Sequence, residues 1–247
     1  INHNGKSVSG LALVDGRSID YEVVVANADA SLVYNKLISG KVSKLKRTRN
    51  NLAKAELSLA GFSLLLGLRP TDQPTGLSHH NVFFPKDYDE EFEDIFSRKV
   101  PVEDPTIYIC APNDNAMVKH PGHEAWFVLV NAPRHGDSDG FNWNDKDANH
   151  RYAMKIIDAI EARGISVRDR LEVLEIRTPA DLERTVMAPG GSIYGTSSNS
   201  AASAFLRARN RSKINGLFCV GGSAHPGGGL PLVGISAEIV ANAIGKA

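Results

Sequence analysis

The sequence predicts a mixed α/β and α+β fold in two lobes, and three observations carry that reading. An apolar strand runs into a capped helix near residue 27, apolar runs punctuated by proline fill residues 57–134, and a strand, a glycine-rich turn and a helix start follow one another after residue 216. With 247 residues, 42% hydrophobic and 23% charged, the chain lies in the globular range. Surface scaling buries roughly 70% of its unfolded area, enough for two cores. Lys plus Arg and Asp plus Glu both number 28, so no global field draws in nucleic acid or repels an acidic ligand.

Residues 8–26 alternate around Asp15-Gly16, a dipeptide suited to the positive-φ positions of a tight hairpin: SGLALV, the turn, then RSIDYEVVVA. Val23-Val24-Val25 ends the second arm as an apolar triplet, which suits a strand covered on both faces. Asn27-Ala28-Asp29-Ala30 follows as a strand-to-helix junction with an acid for the N-cap. From about residue 31 to 56 the text is helical and basic, with Lys41, Lys44, Lys46, Arg47, Arg49 and Lys54 and no acid before Glu56. Such a run reads either as a solvated helix face, the commoner case, or as a surface for an acidic partner or anionic lipid, where each cation is worth about 1 kcal/mol.

The runs LSLAGFSLLLGL, HHNVFF, PTIYICA and AWFVLVNA, broken at Pro70, Pro74, Pro85, Pro101, Pro105, Pro112 and Pro121, predict a mostly antiparallel sheet. Within them, YDEEFEDIF sets Tyr88, Phe92, Ile95 and Phe96 at helical spacing against an acidic outer face. An amphipathic helix over 145–163, a strand in RLEVLEIRT and a Thr178-capped helix with Pro179 in its first turn complete the flanking elements. Residues 31–212 thus read as a second lobe set between residues 1–30 and 213–247. Cys110 and Cys219 lie in separate apolar runs and read as reduced core thiols of a cytoplasmic protein. No run reaches the 18 apolar residues of a membrane span. The chain starts at Ile1 without an initiator Met or a signal-peptide pattern, and reads as a piece of a longer protein.

Seven of the 22 glycines fall between Gly216 and Gly234. Leu217 to Val220 is a short strand, Gly221-Gly222 lets the backbone turn, and Gly227-Gly228-Gly229 leads into a helix with Pro231 in its first turn. The first N–H groups of such a helix lack internal partners, and the dipole adds about half a positive charge there, so the series predicts a site for an anionic ligand met by backbone. Capping and packing alone would account for one Gly-Gly pair; two clusters with His225-Pro226 between them favour a ligand. Neither the phosphate loop ending in Gly-Lys-Ser/Thr nor G-x-G-x-x-G is present, since Leu230, Pro231 and Leu232 follow Gly229.

The segment GLFCVGGSAHPGGGLPLVGISAEIVANAI resembles the C-terminal flavin-binding motif of bacterial-type phytoene desaturases, an FAD-dependent carotenoid desaturase/oxidoreductase family. DGRSIDYEVVVANADASLVYNKLI, GLSHHNVFF, EEFEDIF, DPTIYICAPN and TPADLE are similar to further family segments in the family's order, so the resemblance covers almost the whole chain as the C-terminal half of such an enzyme. VGGSAHPGGGLP is most similar to members acting on acyclic carotenoids, such as diapophytoene and hydroxyneurosporene desaturases. Two departures stand out: the family's N-terminal dinucleotide fingerprint is not in these residues, and the expected Arg-Pro before the final strand reads Arg207-Ala208.

The resemblance implies that residues 1–30 and 213–247 are part of a Rossmann-like FAD-binding lobe, and that residues 31–212 form the substrate lobe. Gly221, Gly222 and Ser223 would lie along the ribityl and phosphate portion of FAD, His225, Pro226, Gly227, Gly228, Gly229, Leu230 and Pro231 would wrap the flavin ring, and Asn27 and Asp29 would end a strand beside it. The implied reaction dehydrogenates adjacent carbons of a polyene such as phytoene, one hydrogen leaving as hydride to flavin and the other as a proton; no catalytic residue is apparent. The implied partners are a lipophilic polyene, a membrane surface and the missing N-terminal FAD-binding segment of the same protein, without which the fragment is inactive. The expected location is cytoplasmic, peripheral on the inner membrane.

Other constellations are weaker. His120-Pro121-Gly122-His123 lies on a turn, and His79, His80, His135, Asp137 and Asp139 do not make a recognisable metal-ligand spacing, so no metal is expected. His79 and His80 read as the end of a strand lining the substrate lobe. Ser223 and Ser236 lack the G-x-S-x-G elbow of a hydrolase. The apolar runs 59–68 and 126–132 read as core, or as the lining of a hydrocarbon tunnel. Two other classes remain open: a flavin oxidoreductase for an amine, porphyrinogen or retinol-type substrate, and a non-catalytic, membrane-associated binding protein.

Overall fold

The computed structural model describes residues 1–73, 75–118, 120–136, 140–197 and 207–246. It divides into two compact units, Ile1–Ser58 with Arg184–Ala247, and Leu59–Glu183. The expected division placed residues 31–212 together; here residues 31–58 and the chain from Arg184 group with the two ends instead. Packing explains the difference: Val33, Tyr34, Ile38, Leu45 and Leu52 share one buried cluster with Val24, Leu217 and Cys219.

In the first unit, β1 (Asn2–His3), β2 (Val8–Ala12) and β3 (Ser18–Asp20) form an antiparallel sheet. The predicted hairpin closes at Asp15-Gly16, with Gly16 at φ +87° and Leu13 N–H donating to Arg17 O at 2.8 Å. Its second arm is two strands, because after Asp20 the chain leaves this sheet. β4 (Val24–Ala26) instead pairs in parallel with β10 (Leu217–Cys219), Val25 opposite Phe218. The valine triplet is covered on one face only: Val24 is buried, while Val23 and Val25 are 45% and 47% exposed. Asp29 caps α1 (Ala30–Leu32), accepting from Ser31 N at 2.8 Å, and a π-helical turn carries the chain on to Leu37. The basic segment contains α2 (Lys46–Lys54), whose Arg49 donates to the carbonyls of Tyr34, Ile38 and Gly40 and so closes the preceding loop.

In the second unit, β5 (Ala60–Leu68), β6 (His80–Phe83), β7 (Ile107–Cys110), β8 (Glu124–Ala132) and β9 (Leu171–Arg177) make an antiparallel sheet in the order β6-β7-β8-β5-β9. Its inner face, with Phe62, Leu64, Leu66, Ile107, Ile109, Trp126, Val128 and Val130, shares a core with Trp143 and with Tyr152, Ile156, Ile157 and Ile160 of α4 (Lys146–Glu161). Each such side chain contributes about 1.5–3 kcal/mol by leaving water. Asp145 caps α4, and Thr178 with Asp181 forms a reciprocal capping box on α5 (Pro179–Val186). No helix among the described residues is long and apolar enough to cross a membrane.

The acidic segment departs from expectation. In α3 (Tyr88–Phe92) and the π-helical turn after it, Glu91 and Asp94 are buried rather than outward. Glu91 accepts from Thr106 N (3.0 Å), Thr106 Oγ1 (2.5 Å) and Asn131 Nδ2 (2.9 Å), and Asp94 accepts from Arg98 Nε (2.7 Å), partners that periodicity does not reveal. Cys110 also differs from the expected core thiol, lying half-buried on the outer face of the sheet, whereas Cys219 is buried; both are free.

Two stability effects follow. Glu91→Ala strands the Thr106 and Asn131 donors and should lower the unfolding free energy by about 2–4 kcal/mol in urea titration. Glu90→Ala, which removes only an exposed pair with Arg98, should stay within about 0.5 kcal/mol. Burial pushes the Cys219 thiol from 9.0 to about 11 and raises the Tyr34 phenol beside it. Both groups keep their protons longer in the folded chain; the Cys219 contribution is intact below pH 9 and is lost as pH rises toward 11. Cys219→Ala should flatten that alkaline decline in stability.

Candidate functional site

The glycine block is anchored by the parallel pairing of β4 and β10. That pairing sets residues 26–30 beside residues 220–224: Val220 N donates to Ala26 O at 3.0 Å, and Ala30 N donates to Ser223 Oγ at 3.0 Å. Asn27, Asp29, Gly221, Gly222 and Ser223 therefore come together in the first unit. A Cβ on Gly221, at φ +105°, would stand 2.5 Å from Asn27 Oδ1. Asp29 is occupied as the α1 cap, and its Oδ2 lies 3.3 Å from where a Cβ on Gly195 would be.

From Ser223 the chain passes through a cis His225–Pro226 peptide into α6 (Leu230–Ile244). Gly228 is required by packing, since a Cβ there would sit 2.2 Å from the Tyr194 ring; a Cβ on Gly222 would lie 3.5 Å from Gly228 Cα. Gly229 is different. It takes φ +94°, nothing lies within 4 Å of its missing Cβ, and as the α6 N-cap it makes no side-chain cap bond. The positive end of α6 and the open flank of Gly229 thus coincide. The side chains of His225, Leu230 and Pro231 are exposed, Leu230 at 88%.

Sequence reasoning missed the residues that hold this turn. Asn210, buried, donates to Cys219 O (3.2 Å), His225 O (2.8 Å) and Ser236 Oγ (2.9 Å), and Ser236 Oγ accepts from Gly221 N (3.3 Å). Arg207 donates to Tyr194 O (2.7 Å) and Gly222 O (3.0 Å), and burial lowers its pKa from the usual guanidinium value. At the Arg207-Ala208 departure, Ala208 is buried and its carbonyl accepts from His225 N at 2.9 Å. Ser223 Oγ accepts from Ala30 N, and Ser236 Oγ accepts from Asn210 Nδ2 and Gly221 N. A cavity of about 550 Å³ also lies in this unit, lined by Tyr34, Arg47, Arg207, Arg209, Arg211 and Lys213 among others. It is a strongly basic hollow that the run of cations over 41–54 only partly foretold.

In the second unit the outer face of the sheet carries two rows that are apolar over their middle strands and end in polar groups, Arg177 in one and His80 and Glu175 in the other. Val82, Tyr108 and Leu129 lie side by side across β6, β7 and β8, and Cys110, Phe127 and Leu65 across β7, β8 and β5. Val82 is 49% and Phe127 36% exposed. The runs 59–68 and 126–132 are therefore core on one face and open apolar surface on the other. His79 and His80 stand at the start of β6, not at the end of a strand. His120 and His123 face each other at 5.4 Å, with His123 Nε2 3.4 Å from Glu172, while His135 bonds Trp143 N. Asp137 and Asp139 lie outside the described residues.

The fold is shared with a solved structure. An oxidoreductase from Methanosarcina mazei superposes with a TM-score of 0.57 at 15% identity, over 97% of this chain and 47% of that one. No family model matches the chain. Sequence similarity is more specific: the chain is 35% identical to a 1-hydroxycarotenoid 3,4-desaturase of a Flavobacterium over 99% of its length, and 31% identical to a hydroxyneurosporene desaturase of Rubrivivax gelatinosus over 98%. It is thus homologous along nearly its whole length to carotenoid desaturases, and spans about half the length of the curated relatives it matches.

Asn210→Ala removes the amide that bonds Cys219 O, His225 O and Ser236 Oγ around the turn and should cost about 2–3 kcal/mol in chemical denaturation, with Ser236→Ala costing less. Equal stability of Asn210→Ala and the parent would contradict this account of the turn.

Proposed function

We propose that the chain is the C-terminal half of an FAD-dependent carotenoid desaturase that dehydrogenates an acyclic carotenoid such as phytoene, and that the turn from Gly221 to Gly229 is one wall of its FAD site. The observation that carries this reading is Gly229, a positive-φ residue with open space beside it at the uncapped start of α6, within a chain related throughout to carotenoid desaturases. Packing accounts for Gly221 and Gly228; it does not account for Gly229. The residues present fit FAD: a close backbone approach along Gly221, Gly222 and Ser223, and unpaired helix N–H groups for negative charge.

Bound there, FAD supplies the acceptor for hydride from the polyene. The chain's own residues hold and tune. The N-terminus of α6 favours the added negative charge of the reduced ring, and Arg207 and Asn210 keep the turn rigid so that this field is aimed before reaction. Val82, Tyr108, Leu129 and Phe127 offer a polyene an apolar bed, bounded on the same face by His80 and Cys110 at one edge and by Glu175 and Arg177 at the other, and no residue is assigned as a proton acceptor. The exposed Val23 and Val25 at β4, together with Leu230, Leu232 and Ile235 of α6, are apolar surface of the kind that further strands cover. The remaining FAD-binding segment of the same protein is the partner this surface suits. The basic cavity and the cations of α2 suit an anionic membrane surface, from which a lipophilic substrate is drawn.

A Cβ on Gly222 meets only ordinary contact at 3.5 Å and no positive φ opposes it, so Gly222→Ala should fold normally. It should nonetheless retain about tenfold less FAD in the full-length protein, read from absorbance after gel filtration. Full flavin content would remove Gly222 from the site. Leu129→Asp should leave thermal unfolding nearly unchanged and raise the KM for an acyclic carotene about tenfold or more in a product assay. An amine or porphyrinogen turned over in place of the carotene would replace the substrate reading while keeping the flavin.

A further inference from the structure

We propose that His79, His80 and Cys110 form a binding site for a zinc-class divalent ion at the β6 edge of the five-stranded sheet, with one coordination position open to solvent. The inference is independent of the flavin reading and reverses the expectation of no metal. Among the described residues, one donor atom from each of these three side chains lies within 4.8 Å of the other two.

Convergence here needs a cause, because adjacent residues of an extended strand point to opposite faces. His79 precedes β6 in a bend, which turns its ring to within 4.3 Å of the His80 ring. Its position is held by Ala111 N donating to His79 O at 2.9 Å. His80 and Cys110 are direct cross-strand partners and so share a face. Tyr108, two residues before Cys110, shares that face too, and its hydroxyl lies 2.9 Å from His80 Nδ1. With Nδ1–H donating to that oxygen, the lone pair of Nε2 is left for a metal, the outer-shell arrangement that orients ligating imidazoles.

The donor set selects the ion. Two imidazoles and a thiolate, with no carboxylate, suit zinc and not calcium or magnesium. Ligands on a tetrahedral zinc stand roughly 3.3–3.8 Å apart at bond lengths of about 2.0–2.3 Å, so closing the site asks for movements of about 1 Å. Both imidazoles are exposed and have room to make them. On binding, the Cys110 S–H bond breaks, the sulfur–metal bond forms and the proton passes to solvent; no oxidation state changes.

The test is titration of the chelator-treated protein with Co²⁺ alone, read as difference spectra against the metal-free protein. The expected result is one equivalent bound with a near-ultraviolet thiolate-to-cobalt band that Zn²⁺ displaces. Cys110→Ser should abolish the band, and His79→Ala and His80→Ala should each weaken binding about tenfold or more. His120→Ala should change neither. Absence of the thiolate band, its survival in Cys110→Ser, or unaltered affinity in both histidine variants would overturn the site. Should Cys110→Ser fail to fold, alkylation of the parent decides instead: Zn²⁺ must protect Cys110 from iodoacetamide, and unprotected labelling refutes the proposal.

Discussion

The first unit depends on one pairing, that of β4 with β10, which joins segments separated by 193 residues in the case of Ala30 and Ser223. A parallel ladder of three residues is weak by itself. It is reinforced from both ends: Leu217, Cys219 and Val24 are buried in the same cluster, and Asn210 and Ser236 tie the turn after β10 to α6. Everything proposed for the glycine block presupposes that ladder, because it sets Asn27 and Asp29 beside Gly221, Gly222 and Ser223.

The glycines then divide by cause. Gly221 and Gly228 are small because Asn27 and Tyr194 occupy the space a side chain would take, whereas Gly229 is small with nothing of this chain beside it. Clustering alone cannot make that distinction, since sequence records that a side chain is absent and not what stands in its place. The open flank coincides with the positive end of a 15-residue helix, and the proposed ligand site rests on that coincidence.

Much of the fold was legible because it rests on local signals. The Asp15-Gly16 hairpin, the Asp29 cap, the Thr178 cap and the apolar strands of the five-stranded sheet are each written in a few neighbouring residues. What escaped depends on distant partners. Glu91 reads as a surface acid until Thr106 and Asn131 are brought to it, Cys110 reads as core until its strand is registered against His80, and Arg207 and Asn210 show their roles only beside the turn they hold. The lobe boundary shifted for the same reason, as the apolar residues between 33 and 52 pack on the terminal segments. The candidate cofactor residues were recognisable as a motif; the zinc-class site was not, because its third ligand lies 30 residues from His80 in sequence.

The proposed flavin site accepts electrons from a polyene. Its most direct measurement is the visible spectrum of the full-length protein, recorded anaerobically before and after addition of an acyclic carotene. The account predicts a flavin absorbance band that bleaches as the carotene is dehydrogenated. A protein without flavin, or a flavin band unmoved by the carotene, would contradict it.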